Sequence, residues 1–368
     1  MKKIIILLAA VALTVAFTIP ASAADEIKWN WYGDARVRTF WVSEDFKDSG
    51  TTVGGNDSTE DSELEWQFQG NSRIGFRVKG GAVGGRVELR TSNDNASGAS
   101  STVDANFARL WGSWNFGAGT LYVGKRQPPV FQFVSGQIYD DTGLIGWGAA
   151  YSRRRGQLAL GFGGFEVALV QPREDTLGTD GDADPVIPKI EARWGMGFDT
   201  WNFNVMGGYQ YAEINNVTND DGNNKDLEID SYIVAADVTF NFGPFYTKGY
   251  VNYGQNLGPA DWVGPSPSFN GSNSINDVTR TTGGLILGFK LTDMVTFEGG
   301  AGGYMDEYDA SDRGDASGYS AYIQAVLQMH PGVFFIPEFS YFDTADLGQG
   351  NDEGPTKWAL GGKWQINF

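Results

Sequence analysis

The groups in this 368-residue chain best equipped to act on a partner are guanidiniums. Arg36 and Arg38, Arg73 and Arg77, and Arg86 and Arg90 recur two or four residues apart, and Arg126, Arg153 and Arg155 follow. In a strand, whose side chains alternate with a period of two, such spacing places each set on one face. A wall of fixed positive charge attracts and orients ions and polar solutes; it breaks no bonds. Groups suited to covalent chemistry are scarce. Cysteine is absent, which excludes disulfides and thiolate metal sites. The single histidine, His330, stands beside Pro331 in a predicted short turn, where a solvated residue is the simpler reading than a general base. Asp180, Asp182, Asp184 and Glu191 have the spacing of a calcium loop, but Pro185 stands where that loop needs glycine. Gly161-Phe162-Gly163-Gly164 is too short for a dinucleotide loop, and no motif implies a cofactor. A net charge of −18 argues against nucleic acid as a partner.

The elements that must hold these arginines are strands. In the last twelve residues, Trp358, Leu360, Gly362, Trp364, Ile366 and Phe368 fall on one face, and Lys357, Ala359, Gly361, Lys363, Gln365 and Asn367 on the other. From Glu26 to Val42, Trp29, Trp31, Val37 and Trp41 oppose Lys28, Asn30, Asp34, Arg36 and Arg38. The unit of strand, short turn, strand and long polar loop repeats to the end and predicts about sixteen strands. Short connections fall at Gly80-Gly81, Gly163-Gly164, Asp199-Thr200, Gly243-Pro244, Thr292-Asp293 and Pro331-Gly332. Long ones span 43–62, 215–226, 255–277, 305–317 and 344–356. Many strands exceed the ~9–11 residues that cross a bilayer when tilted, and aromatics cluster near their ends, as in interfacial girdles. The fold class is all-β: a closed antiparallel transmembrane barrel. In lipid an unpaired peptide group costs several kcal/mol, and only closure pairs both edges of a sheet. An arginine facing mid-membrane lipid costs about 2–4 kcal/mol, so the arginine faces must line a wet lumen.

The N-terminus reads as a secretory signal over residues 1–23. Lys2 and Lys3 precede an apolar run, and Ala21-Ser22-Ala23 forms the cleavage site. This segment holds two of the 27 basic residues and none of the 45 acids, so residues 24–368, a single barrel domain, carry −20.

Three stretches carry a family resemblance. Asn71-Ser72-Arg73-Ile74-Gly75-Phe76-Arg77 resembles the second-strand motif of Gram-negative homotrimeric general porins, and 106–127 is similar to the strand pair leading into their inward-folded third loop. The terminal Trp364, Ile366 and Phe368 resemble their assembly signal, with Ile366 in place of the commoner aromatic. The resemblance implies an outer-membrane, non-enzymatic channel for passive diffusion of ions and small hydrophilic solutes. It implies short turns and both termini at the periplasmic rim, and long loops outside. It implies contact with outer-membrane lipid and lipopolysaccharide, insertion machinery that reads the last strand, and a homotrimer latched by the loop 92–103. It further implies that 127–151 folds inward as a constriction loop. Asp140 and Asp141 would then face a basic wall of Arg36, Arg73, Arg90 and Arg126, with Arg38, Arg77, Arg86, Arg153 and Arg155 as further lumen charges. With acidic outer loops concentrating cations at the mouth, a weak cation preference is expected. A substrate-selective channel for sugars or anions, and an adhesin or anchor barrel with a blocked lumen, are the alternative readings.

Overall fold

The computed structural model describes residues 26–45, 60–91, 94–95, 105–139, 143–271, 274–309, 314–344 and 355–368. The signal segment lies outside them. Sixteen strands run in order: β1 Lys28–Asp45; β2 Glu60–Phe68 continuing as Arg73–Gly80; β3 Val83–Thr91, extended by Asp94–Asn95; β4 Ala105–Asn115; β5 Thr120–Arg126; β6 Arg155–Phe162; β7 Phe165–Val170; β8 Asp182–Asp184 with Lys189–Gly197. They continue as β9 Trp201–Thr218, β10 Asn224–Phe242, β11 Phe245–Gln255, β12 Val278–Lys290, β13 Val295–Tyr308, β14 Ala316–His330, β15 Val333–Asp343 and β16 Thr356–Asn367. Each pairs antiparallel with its neighbours in sequence, and β1 closes the ring on β16 from Asp34↔Asn367 to Asp45↔Thr356. The seam ends in a reciprocal pair: Gly33 N–H donates to Phe368 O at 2.7 Å, and Phe368 N–H to Gly33 O at 3.0 Å. The Phe368 ring occupies the space a Cβ on residue 33 would take, so a larger residue there would have to displace that ring. No α-helix occurs among the described residues.

The two faces sort as the alternation requires. Val123, Leu158, Val234, Val251, Leu285, Leu287, Ile323 and Leu360 point outward and are exposed, forming an apolar belt around the barrel. Trp29, Phe162, Phe165, Phe242, Phe245 and Phe368 ring it near the short turns; Trp41, Trp66, Tyr209, Tyr253, Tyr319 and Trp358 ring it near the long loops. A continuous apolar surface of this kind is far larger than water tolerates, and two girdles one membrane apart match a bilayer. The expected assembly residues Trp364, Ile366 and Phe368 all lie on this outer face.

The connections 215–226 and 305–317 are shorter than expected. Residues 215–226 are mostly strand, because β9 runs to Thr218 and β10 starts at Asn224. Inward Ile214, Val217, Leu227 and Ile229 extend the apolar face above the membrane and pack with Leu177, Phe269 and Ile275. A bulge between Ile214 and Val217, with Asn216 at φ 59, shifts the register and hides the alternation in the sequence. Asp306, expected in an outer loop, lies in β13 and forms a bidentate pair with Arg280 at 2.6 Å on both arms.

Ile323, 62% exposed at the middle of β14, tests the membrane-facing belt. Ile323→Arg should lower the unfolding free energy in lipid vesicles by about 2–4 kcal/mol, and Ile323→Leu should leave it nearly unchanged. An arginine tolerated there as well as leucine would mean that this face sees water.

Candidate functional site

The connection from Gln127 to Arg154 leaves β5, enters the lumen and follows the wall from β8 round to β15, β1 and β2. It is held mainly by wall groups that accept its backbone N–H bonds. Val130 N donates to Glu191 on β8 at 2.8 Å, and Gly136 N to Glu298 on β13 at 2.6 Å. Ile138 N and Tyr139 N donate to the two oxygens of Glu338 on β15 at 2.7 and 2.9 Å. Between these points, Gln132 Nε2 donates to Ala236 O at 2.8 Å, Lys248 Nζ to Val134 O at 2.8 Å, and Gln137 Nε2 to Ser320 Oγ at 3.0 Å. Hydrogen bonds to a charged side chain, as at Glu191, Glu298 and Lys248, contribute about 1.5–3 kcal/mol each, and the neutral ones about 0.5–1.5. Tyr139, at the tip, packs against Phe40 with ring centroids 5.2 Å apart. On the return leg, Gly148 has φ 109 and its carbonyl accepts from Asn252 Nδ2 at 2.6 Å and Thr282 Oγ1 at 2.7 Å.

A second segment, 256–264 between β11 and β12, also turns inward, where an outer loop was expected over 255–277. Leu257, Ala260 and Trp262 are buried against Val130, Ala150, Met206 and Ile233. The Trp262 ring covers Gly208, where a side chain would collide with it. The two inward segments meet at one node on β8. Lys189 and Glu191, both fully buried, lie 3.2 Å apart. Lys189 Nζ donates to Ala260 O at 2.8 Å and to Ser152 Oγ at 2.9 Å. Glu191 Oε1 accepts from Ser152 Oγ at 2.6 Å and Trp262 Nε1 at 2.9 Å. The signals available in the sequence were a Leu and a Trp within a polar loop, flanked by Asn256 and Asp261, which adopt φ of 50° and 60°.

The wall left uncovered runs from β2 to β7, and its guanidiniums converge on one carboxylate. Glu88, fully buried, pairs with Arg86 at 2.5 Å, with Arg73 at 3.9 Å, and with Arg109. Arg86 Nε and Tyr32 share a bond of 2.7 Å, and Tyr32 OH donates to Glu88 Oε2 at 2.7 Å. Arg90 donates to Asn71 Oδ1 at 3.1 Å and Asn106 Oδ1 at 3.3 Å. Arg126 forks onto Glu166 at 2.9 and 3.2 Å. Arg36 pairs with Asp34 at 2.6 Å, and Arg77 lies over the Tyr32 ring at 5.5 Å. Arg38 is buried under the loop tip, bonded to Gln67 at 2.8 Å and Glu65 at 3.1 Å. Arg155 and Arg153 reach Asp261 of the second segment at 2.7 and 3.7 Å. Arg154 was not anticipated, nor were Arg109, Glu88 and Glu166. Burial, with Arg73 and Arg90 nearby, lowers the Arg154 pKa from its ordinary value, and its buried Nε has no hydrogen-bond partner among the described residues. Arg90, Arg153, Arg154 and Arg155 line a recess of about 480 Å³. Asp140 and Asp141 lie outside the described residues, as does most of the loop 92–103.

The Lys189–Glu191 node predicts a non-additive pair. Lys189→Met strands a buried carboxylate and should cost about 3–5 kcal/mol of unfolding free energy. Glu191→Leu leaves the buried Val130 and Trp262 N–H groups without their acceptor, so Lys189→Met with Glu191→Leu should stay destabilised but cost less than the sum of the two single changes. Urea unfolding in detergent reads both, and simple additivity would contradict a coupled node.

No protein-family model matches the sequence, and no curated protein matches it. Solved structures do. The outer membrane channel DcaP of Acinetobacter baumannii is 14% identical, with a TM-score of 0.70 over 93% of this chain and 97% of that one. The anion-selective porin from Comamonas acidovorans is 15% identical, with a TM-score of 0.59 over 93% and 100%. OmpT of Vibrio cholerae in its trimer form is 14% identical, with a TM-score of 0.55 over 93% and 100%. At such identities the likeness is one of fold: this chain is built on the closed antiparallel barrel of outer-membrane porins and channels.

Proposed function

We propose that the protein is a water-filled outer-membrane channel through which ions and small hydrophilic solutes diffuse passively. One observation carries this reading: the inward loop is clamped flat along the β8–β15 wall, which leaves the guanidinium wall of β2–β7 facing it across the lumen. A barrel of about sixteen strands is wide enough to keep an aqueous passage. A plugged adhesin or anchor would need the lumen filled, whereas recesses of about 480 and 810 Å³ lie along the basic wall. No catalytic role is supported. The Ser152, Lys189 and Glu191 cluster is sealed from solvent, and His330 sits at the short-turn end of β14 with Nδ1 3.1 Å from Pro331 O.

In this reading the short turns and both termini face the periplasm. The signal segment is cleaved near Ala23, and the last strand is read by the insertion machinery. Outer-membrane lipid and lipopolysaccharide surround the belt. The functional unit is a homotrimer, as for the trimer form of the Vibrio protein.

Two charge preferences compete. Asp140, Asp141 and the outer-loop acids favour cations. The uncovered wall favours anions, because around Glu88 a single carboxylate meets Arg73, Arg86 and Arg109, with Arg90 and Arg154 nearby. Loop charges in a wide vestibule are screened within ~8 Å at physiological salt, and charges at a narrow point are not. We take the anion preference as the better supported. Planar-bilayer recording in a potassium chloride gradient tests both levels. Stepwise openings with an anion-side reversal potential are expected, and Arg90→Gln with Arg154→Gln should move that potential toward cations. Absence of openings would refute the channel. A cation-side potential unmoved by the arginine changes would place selectivity with the acids.

A further inference from the structure

The short-turn side of the basic wall carries a feature that ion passage does not require. Trp111 on β4 faces the lumen: its cross-strand partner on β3 is Arg86, and its partner on β5 is Gly124. A tryptophan turned into a wet passage loses the burial that usually stabilises it. Its surroundings keep it partly uncovered. Gly124 has φ 123, and a Cβ there would collide with the Leu110 carbonyl, so β5 places no side chain opposite the indole. The ring meets Tyr122 edge to face, with centroids 5.8 Å apart. Its indole N–H donates to no acceptor among the described residues. Ser113 and Asn115 follow on the same face. Arg77, Arg86, Trp111, Ser113, Asn115 and Tyr122 line a recess of about 810 Å³, within the ~300–1,000 Å³ typical of small-molecule sites.

A flat ring with a free N–H, a guanidinium one strand away and a row of hydroxyl and amide groups together describe a ligand. Its ring has an apolar face to stack, hydroxyls to bond, and an anionic substituent for the arginine. We propose that Trp111, Arg86, Ser113 and Asn115 form a subsite for pyranose sugars bearing a carboxylate, such as hexuronates, on their way through the channel. The Trp111 ring takes the sugar face, Arg86 the carboxylate, and Ser113 and Asn115 the ring hydroxyls. An aryl acid would stack but offer nothing to the Ser113 hydroxyl or the Asn115 Nδ2, whose Oδ1 already accepts from Gly117 N at 2.8 Å, and a neutral hexose would bring no charge to the Arg86 N–H groups left over from Glu88 and Tyr32.

This inference rests on the channel reading, and single-channel recording separates the two. Openings in potassium chloride alone report the channel; interruptions of that current by added solute report the subsite. Glucuronate should interrupt the current with several-fold longer dwell times than glucose or benzoate. Trp111→Ala should weaken glucuronate binding about tenfold, or about 1.4 kcal/mol, with openings in salt retained, and Trp111→Phe should restore most of the dwell time. Wild-type interruptions in Trp111→Ala would overturn the subsite. Equal dwell for benzoate would overturn the sugar assignment, and equal dwell for glucose the role of Arg86. A protein that opens no channel in salt alone overturns both readings.

Discussion

A peptide group inside a bilayer has no water to bond, so every N–H and C=O in the membrane must find a partner in the sheet. The closure of β1 on β16 meets that requirement, and much else follows from it. Because the edge is abolished, each strand presents one face to lipid and one to the lumen, and the chain divides its residues accordingly. The seam is reinforced where it is most exposed, at the reciprocal Gly33–Phe368 bonds that finish the last strand. Closure does not decide what fills the interior. A sixteen-strand ring encloses more space than its own side chains fill.

That space is organised by carboxylates buried in the wall. Glu191, Glu298 and Glu338 each accept backbone N–H groups from the inward loop, so a segment without regular hydrogen bonding of its own acquires fixed partners strand by strand. Glu191 also joins the second inward segment to the first through Ser152 and Trp262. The result is asymmetric: one half of the lumen is packed by the two inward segments, and the other is lined by guanidiniums around Glu88. Electrostatic work on a solute is concentrated on that second half.

Strand positions were legible because lipid imposes the alternation directly on the sequence, as in Trp358 to Phe368. The lumen placement of Arg73, Arg77, Arg86, Arg90 and Arg126 was legible for the same reason. The alternation failed where a bulge broke it, between Ile214 and Val217, and where the wall left the membrane. The loop clamp was not legible: Glu338 meets Ile138 across 200 residues, and nothing local marks it as a loop anchor. Glu88 and Arg109 were missed because a charge alternating with apolar residues reports only which face it is on. The charges it meets across the sheet are set by register. The inward turn of 256–264 was hidden by its polar setting, although Leu257 and Trp262 were out of place in an outer loop.

One lumen wall is covered by the inward loop and the opposite one is left uncovered. The chain contains no cysteine, so single cysteines report without background. Cysteine replacing Ser113, on the uncovered wall, should react rapidly with a charged methanethiosulfonate added to the open channel and lower its conductance. Cysteine replacing Ser340, fully buried behind the loop, should react at least a hundredfold more slowly, a difference corresponding to about 2.7 kcal/mol. Equal rates at the two positions would show that the loop does not lie against that wall, and would contradict the account.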